Sequence, residues 1–328
     1  MHRFHWSGAA ALMSLLCAAP MIVSGCAEPT VVAEKPRAMR IGVGSRGGDF
    51  SVMGAELAET LRSEQPQYQV EIVSNGGALS SLDDLQQGSS DCSFSYANIT
   101  YEGFTGRLAD KPTPLSHLRG VAVIELTPVY FVTRRGSPVK SVTDLEGRSM
   151  SLGPSGSGSY RAAQILLDGF GLDTTKVKMQ AERWGSSMER MNTGEIDAFF
   201  ILAGQPGNFR NRINERVNQE VRPLEGEMVD RLRSRYPFLH PVVVPAGTFP
   251  SQAKPIRTVG IDSVLLCRED VAAEDVARVT KDWFLTVARL VKDGRLGDAV
   301  TPALAAATPI PLHPGAAEYY RARQVQFR

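Results

Sequence analysis

Apolar positions along this chain switch between the period of a strand and the period of a helix, twice, in the same order. Met39 to Val43 form a short apolar run, and Phe50 to Arg62 follow with Met53, Leu57 and Leu61 on one helical face. Gln69 to Val73 reads as a second strand. Leu79, Leu82 and Leu85 mark a short helix that Gly88 stops, and Asp91 to Tyr96 returns as a third strand. The pattern restarts at Arg148. Met150 to Leu152 is a strand, Tyr160 to Phe170 a helix with Ala163, Leu166 and Leu167 inward, and Gly171 its natural stop. Lys176 to Met179 is a strand, Met188 and Met191 lie on a short helix ending at Gly194, and Asp197 to Leu202 returns as a strand. Gly88 and Gly194 are 106 positions apart, as are Asp91 and Asp197, and Gly42 and Gly153 are 111 apart. One matched element is easy by chance, whereas matches throughout predict two α/β units of one topology with mainly parallel strands.

In each unit the first strand leads through a Gly/Ser loop into a helix. The loops read Ile41-Gly-Val-Gly-Ser-Arg-Gly-Gly-Asp-Phe and Leu152-Gly-Pro-Ser-Gly-Ser-Gly-Ser. A helix start offers unpaired N–H groups and a positive dipole end, and glycines let backbone approach a ligand closely, so each loop is a candidate anion cradle. Ligands of such sheets lie at the carboxyl ends of the strands. That places Ser45, Arg46, Gly47, Gly48, Asp49 and Phe50 at the first loop, and Ser155, Gly156, Ser157, Gly158, Ser159 and Arg161 at the second. The other strand ends supply Asn75 and Gly76, Tyr96 and Asn98, a loop holding Trp184, and Ala203, Gly204 and Gln205. Several of these have two readings. Asp49 and Ser51 fit as helix caps, while Asp49 could instead meet a ligand ammonium group. Arg46 and Arg161 could clamp a carboxylate bidentately or be solvated surface charges. Trp184 could wall a pocket or pack against its own unit. Asp91 and Asp197 read as turn residues, at the wrong end of their strands for a ligand. Pro128-Val-Tyr-Phe-Val-Thr and Pro241-Val-Val-Val-Pro are Pro-bounded and β-rich, as strands crossing between two lobes would be.

Bulk properties exclude more than they assign. The chain has 328 residues, 43% apolar and 22% charged, with a net charge of +1, and no Lys/Arg-rich run suggests nucleic acid. No His/Cys cluster has metal-ligand spacing, and neither a metal nor a cofactor is expected. The first 26 residues combine a basic start, an apolar stretch and Val23-Ser-Gly-Cys26, which looks like a bacterial lipobox with Cys26 as the lipidated residue; an ordinary secretory signal is the alternative. Residues 27–38 would be a flexible tether. The two remaining mature cysteines, Cys92 and Cys267, lie in strand-like apolar segments and read as buried free thiols rather than a disulfide.

Gly42-Val-Gly44-Ser-Arg-Gly47 formally satisfies the dinucleotide fingerprint, but the second strand ends Val73-Ser-Asn75, without the acidic residue a ribose needs. Neither loop ends in Gly-Lys-Ser/Thr, and no Gly-x-Ser-x-Gly elbow occurs, so nucleotide and hydrolase chemistry are disfavoured.

Both loop motifs, together with Gly194-Glu-Ile-Asp-Ala-Phe-Phe, Ala203-Gly-Gln-Pro, Tyr236-Pro-Phe, Val244-Pro-Ala-Gly-Thr-Phe and Pro311-Leu-His-Pro-Gly-Ala-Ala-Glu-Tyr-Tyr, resemble the TAXI family of solute-binding proteins that serve TRAP transporters. The resemblance spans nearly the whole mature chain. It implies a two-lobe periplasmic-binding-protein-like α/β fold, with duplicated lobes joined by crossing β-strands, and a monomer without enzymatic activity. It also implies capture of a small organic acid or amino acid and delivery to a separate membrane permease. Lobe 1 is expected over 39–132 plus 243–328 and lobe 2 over 133–242. The first loop departs from the family's usual Gly-Thr-Tyr-Tyr, reading Gly48-Asp49-Phe50-Ser51, and Tyr96 and Asn98 stand where Gln and Asp are common. A ligand-sensing lipoprotein reporting to a receptor or kinase needs the same closed cleft and is the alternative role.

Overall fold

The computed structural model describes residues 37–44, 46, 48–108, 111–204, 213, 218–236, 238–250, 252–296 and 300–327. The expected leader and lipidation residue Cys26, and Ser45, Gly47 and Gln205 of the expected site, lie outside them.

The first unit is β1 (Arg37–Gly42), α1 (Asp49–Glu64), β2 (Tyr68–Val73), α2 (Ala78–Gln87) and β3 (Cys92–Tyr96), followed by α3 (Ala97–Phe104). The second is β5 (Ser149–Ser151), α4 (Gly158–Gly169), β6 (Lys178–Gln180), α5 (Trp184–Thr193) and β7 (Ala198–Leu202). Strand β1 pairs in parallel with both β2 and β3, and β5 pairs in parallel with both β6 and β7. Between the units runs β4 (Leu118–Arg134), and β8 (Gln219–Arg222), β9 (Leu239–Val244) and β10 (Ile256–Arg268) follow later in the chain. The sheet order β2-β1-β3-β10-β4-β7-β5-β6 is a palindrome of element types: three parallel strands and one antiparallel strand, then the mirror of that order.

The duplication is physical as well as patterned. Gly88 and Gly194 both close their helices in the left-handed conformation, at φ 79° and 81°, where glycine has no Cβ penalty. Asp91 accepts the Arg40 N–H at 2.8 Å and its own N–H returns to Arg40 O; Asp197 makes the same reciprocal pair with Ser149, at 3.0 Å. The two aspartates thus tie the start of the third strand to the first strand. Asp91 adds a bidentate pair to the Arg40 guanidinium, which raises the arginine's pKa chiefly through that hydrogen bond.

Strand β4 is longer than the crossing segment predicted from Pro128. Its first part pairs with β10 through Pro128, and its last part, from Val129, pairs with β7 and β8, so one continuous strand belongs to both units. Strand β9 pairs along β10 from Leu239 to Val244. On the first unit, α7 (Ala273–Lys292) packs against α1 and α9 (Pro314–Arg321), and the single-turn α8 (Pro302–Ala305) contacts β4, whereas α6 (Glu227–Arg235) packs against α4 of the second unit and β9. Trp283 of α7 is 1% exposed and meets Phe94 edge-on at 5.6 Å, and Tyr320 Oη donates to Val121 O at 3.0 Å. Among the described residues no helix is long and apolar enough to cross a membrane.

Cys92 and Cys267 form a disulfide, which corrects the reading of two free thiols. They stand directly opposite each other in the antiparallel β3–β10 pair, and both are fully buried. That juxtaposition is set by a register 175 residues apart in sequence, so neither local segment reveals it. Closing so long a loop restricts the unfolded chain and contributes roughly 3–5 kcal/mol on the chain-entropy account. Replacing both cysteines by alanine is therefore expected to lower the urea midpoint markedly in the absence of reductant. The oxidised parent and the double variant sharing one midpoint would show that the bridge contributes nothing.

A candidate ligand cleft between the two loops

Both Gly/Ser loops sit at carboxyl ends of their parallel strands, and the sheet's palindrome turns them toward each other. In the first loop Gly44 takes φ 65°, with its carbonyl accepting from Asn75 N–H at 3.0 Å, and Gly48 is the N-cap of α1. In the second, Gly153 and Gly156 take φ 94° and 74°, and Ser157 caps α4 by accepting the Tyr160 N–H at 3.1 Å. The first-turn N–H groups of Asp49 and Phe50, and of Gly158 and Ser159, have no acceptor within their own helices. A cavity of about 160 Å³ lies between them. Asp49, Phe50 and Tyr96 line it from the first unit, and Ser157, Gly158, Ser159, Trp184 and Ala203 from the second.

Three contacts close the cleft. A Cβ on Gly158 would fall 2.2 Å from the Tyr96 ring, so the ring lies flush on the start of α4 and only glycine leaves it room. The Tyr96 ring in turn packs against Phe50, tilted by 43° at 4.8 Å between centroids. Leu79 N–H donates to Gly156 O at 3.4 Å, and Gly204 N–H donates to Asp49 Oδ2 at 3.3 Å.

Several expected residues take other roles. Asp49 is not a cap: the cap position belongs to Gly48, and the Ser51 hydroxyl donates to Gly48 O at 2.7 Å. The Asp49 carboxylate instead reaches across the cleft to Gly204. Arg161 is neither a ligand clamp in this structure nor a solvated charge. Its guanidinium makes two 2.7 Å bonds to the buried carboxylate of Glu102, joining α4 to α3 just outside the cavity, and that hydrogen bonding raises its pKa. Arg46 is exposed. Asn75 spends its amide on Asp84 at 2.7 Å and its oxygen on Gly77 N–H, shaping the loop rather than facing the cavity. Gly76 packs against Ser80, and Asn98 is wholly buried with no side-chain partner among the described residues. Trp184, expected in a loop, begins α5 and walls the cavity from there.

Sequence reasoning missed Glu125. It sits on β4 opposite Ser263, beside a register shift that leaves Ile124 unmatched, and such a bulge re-aims neighbouring side chains. Its carboxylate lies against Gly204, where a Cβ would fall 2.5 Å from Oε1. Although Glu125 keeps some exposed surface, protein surrounds its carboxyl, and desolvation with the nearby Asp49 charge pushes its pKa up to about 8, opposed by the Thr127 hydroxyl. Desolvation also raises the Asp49 pKa, countered by the Gly204 N–H, and the Tyr96 phenol is pushed up by burial and by both carboxylates. Neither acid has an ion-pair partner among the described residues, and no Arg or Lys lines the cavity. The signal for Glu125 was present: it is the lone charge in the apolar run Val121 to Val132.

A larger depression of about 790 Å³ lies on the far part of the second unit, between β8 and residues 249–257. It is rimmed by Arg135, Glu220, Arg222 and Lys254, and neither Gly/Ser loop reaches it. Size alone does not make it the site, since ligands of such sheets gather at the strand carboxyl ends. Among the described residues no group of His, Cys, Asp and Glu is arranged to hold a metal ion.

The fold resembles that of PhnD1 from Prochlorococcus marinus in complex with methylphosphonate, at 13% identity and TM-score 0.52, over 88% of this chain and 99% of that one. It is also similar to the periplasmic aliphatic sulphonate binding protein SsuA from Escherichia coli (17% identity, TM-score 0.48, 89% and 94% covered) and to a TctC solute binding protein from Polaromonas (14%, 0.47, 79% and 87%). At these identities the likeness concerns fold. Residues 41–322 match the model of the NMT1-like family, and the chain belongs to that family.

Proposed function

We propose that this protein is an extracytoplasmic solute-binding protein, lipid-anchored through Cys26, that captures a small organic anion or amino acid between its lobes. It then hands the solute to a TRAP-type permease, as the TAXI resemblance of its motifs implies. The observation that carries this reading is the cavity itself, enclosed by equivalent loops of two duplicated units. The lobes are taken as 39–132 plus 243–328 and 133–242, with β4, β9 and β10 at the crossing. PhnD1, whose description names methylphosphonate, lends support through shared fold. Bound solute stabilises the closed state because only that state offers both helix starts at once. The same geometry would serve a sensing lipoprotein.

Isothermal titration of the mature protein with amino acids, dicarboxylates and methylphosphonate is expected to show one-to-one binding of at least one class. Absence of heat with every member would count against capture in the cleft. Gly158→Leu must displace the Tyr96 ring and is expected to weaken that binding by at least about tenfold, the scale of a lost well-packed contact. Parent-like affinity would show that the cleft need not close on Gly158. Arg161→Ala breaks a pair between α3 and α4 that lies outside the cavity. It is expected to weaken all ligands by a similar factor of several-fold, as loss of a shared closing contact would. A loss confined to carboxylates would return Arg161 to direct ligand contact.

A further inference from the structure

We infer that Asp49 and Glu125 form an ammonium-receiving subsite, so that the ligand is an amine-bearing organic acid rather than a simple organic anion. The inference rests on the solute-binding reading above and narrows its substrate class.

Four observations carry it. Two carboxylates from different elements, the start of α1 and the middle of β4, converge on Gly204; Asp49 itself lines the cavity, as does Ala203, the residue before that glycine. Neither has a cationic partner among the described residues, whereas the ion pairs at Asp91 and Glu102 show that this chain supplies arginines to buried acids elsewhere. The Tyr96 ring lines the same cavity, and the charges of both Asp49 and Glu125 act on its phenol, which places the two carboxylates close to it. Finally, the helix starts at Gly158 and Ser159 face the cavity from the opposite lobe, offering donors to a carboxylate. Helix-start donors for a carboxylate together with acidic acceptors on one side match a zwitterion. A dianion would bring like charge against Asp49 and leave Glu125 no cation to pair with.

Proton bookkeeping follows from the groups around Glu125. Asp49 faces it from α1, Tyr96 from β3, Ser263 from β10, the Thr127 hydroxyl from its own strand and the Gly204 backbone from the end of β7. None is a cation. With its pKa near 8, the empty cleft holds a proton on Glu125 at neutral pH. Receiving an ammonium group favours the ionised carboxylate, so binding expels that proton. Affinity should therefore rise with pH up to about 8, by as much as about tenfold per unit well below it. The apo protein has the opposite trend. Because the folded pKa is raised, stability from this group is present at low pH and declines as pH climbs from the ordinary carboxylate range toward 8.

The test is calorimetry with matched pairs that differ only in an amino or an oxo group: L-alanine and pyruvate, L-leucine and 4-methyl-2-oxopentanoate, L-glutamate and 2-oxoglutarate. The expected result is that at least one amino acid binds more than about tenfold tighter than its oxo partner, as sites built to pair a polar group discriminate. Its affinity should also rise between pH 6 and pH 8, with proton release seen as a buffer-dependent enthalpy. Glu125→Gln should reduce the preference to within about threefold and flatten the pH dependence, as a lost charge-assisted contact requires. Its melting temperature at pH 8 should be no lower than the parent's. Should that variant fail to fold, Asp49→Asn is read in the same way. Oxo acids binding as tightly as their amino partners, or a variant that keeps both preference and pH slope, would overturn the subsite and leave solute capture standing. Failure of all six probes while methylphosphonate or another anion of the wider panel binds would overturn the subsite alone, and failure of every member of both panels would remove both.

Discussion

The cleft depends on two antiparallel strands at the middle of one sheet. Leu118–Arg134 and Ile256–Arg268 lie side by side from Leu118 to Pro128, and each serves as the antiparallel fourth strand of one three-stranded parallel set. Parallel sets bring the loops at their strand ends to one edge, and the antiparallel joint turns the two edges toward each other. Because β4 runs unbroken through both sets, the separation of the two Gly/Ser loops is fixed by a continuous backbone. The Cys92–Cys267 disulfide locks the first set to that joint.

The chemistry at the cleft follows from what this joint brings together. Mid-strand on β4, a bulge sets Glu125 against Gly204, and Gly204 donates to Asp49 at the head of α1. Thus three segments remote in sequence meet at one glycine. Across the cavity, Gly158 admits the Tyr96 ring, which packs at a tilt on Phe50, which in turn lies 5.9 Å from Phe94 in the core. Cleft closure and first-unit packing are therefore mechanically connected. The Glu102–Arg161 pair adds a charged contact between the two units outside the cavity.

Much of the fold was legible because the duplication repeats its punctuation. Gly88 and Gly194 take the positive φ that favours glycine, and Asp91 and Asp197 accept the neighbouring strand's N–H, so their equal spacing carried structural meaning. Asp49, Phe50, Tyr96, Ser157, Gly158, Ser159, Trp184 and Ala203 line the cavity, and all lie in segments that the sequence puts at strand carboxyl ends. What escaped was long-range. The disulfide needs the β3–β10 register, Arg161 needs to know that Glu102 is its neighbour, and Asp49 reads as a cap until Gly204 is seen opposite it. Glu125 was hidden in a run whose apolar character described the strand and distracted from its one charge.

The central claim is that ligand sits between the two loop-headed helices and not in the larger depression near Arg222 and Lys254. A crystal structure of the protein with its tightest-binding solute tests this most directly. The account predicts density bounded by Asp49 and Tyr96 on one side and Gly158 and Ser159 on the other, with the Tyr96 ring still against Gly158. Density in the outer depression, with the cleft between the loops empty, would contradict it.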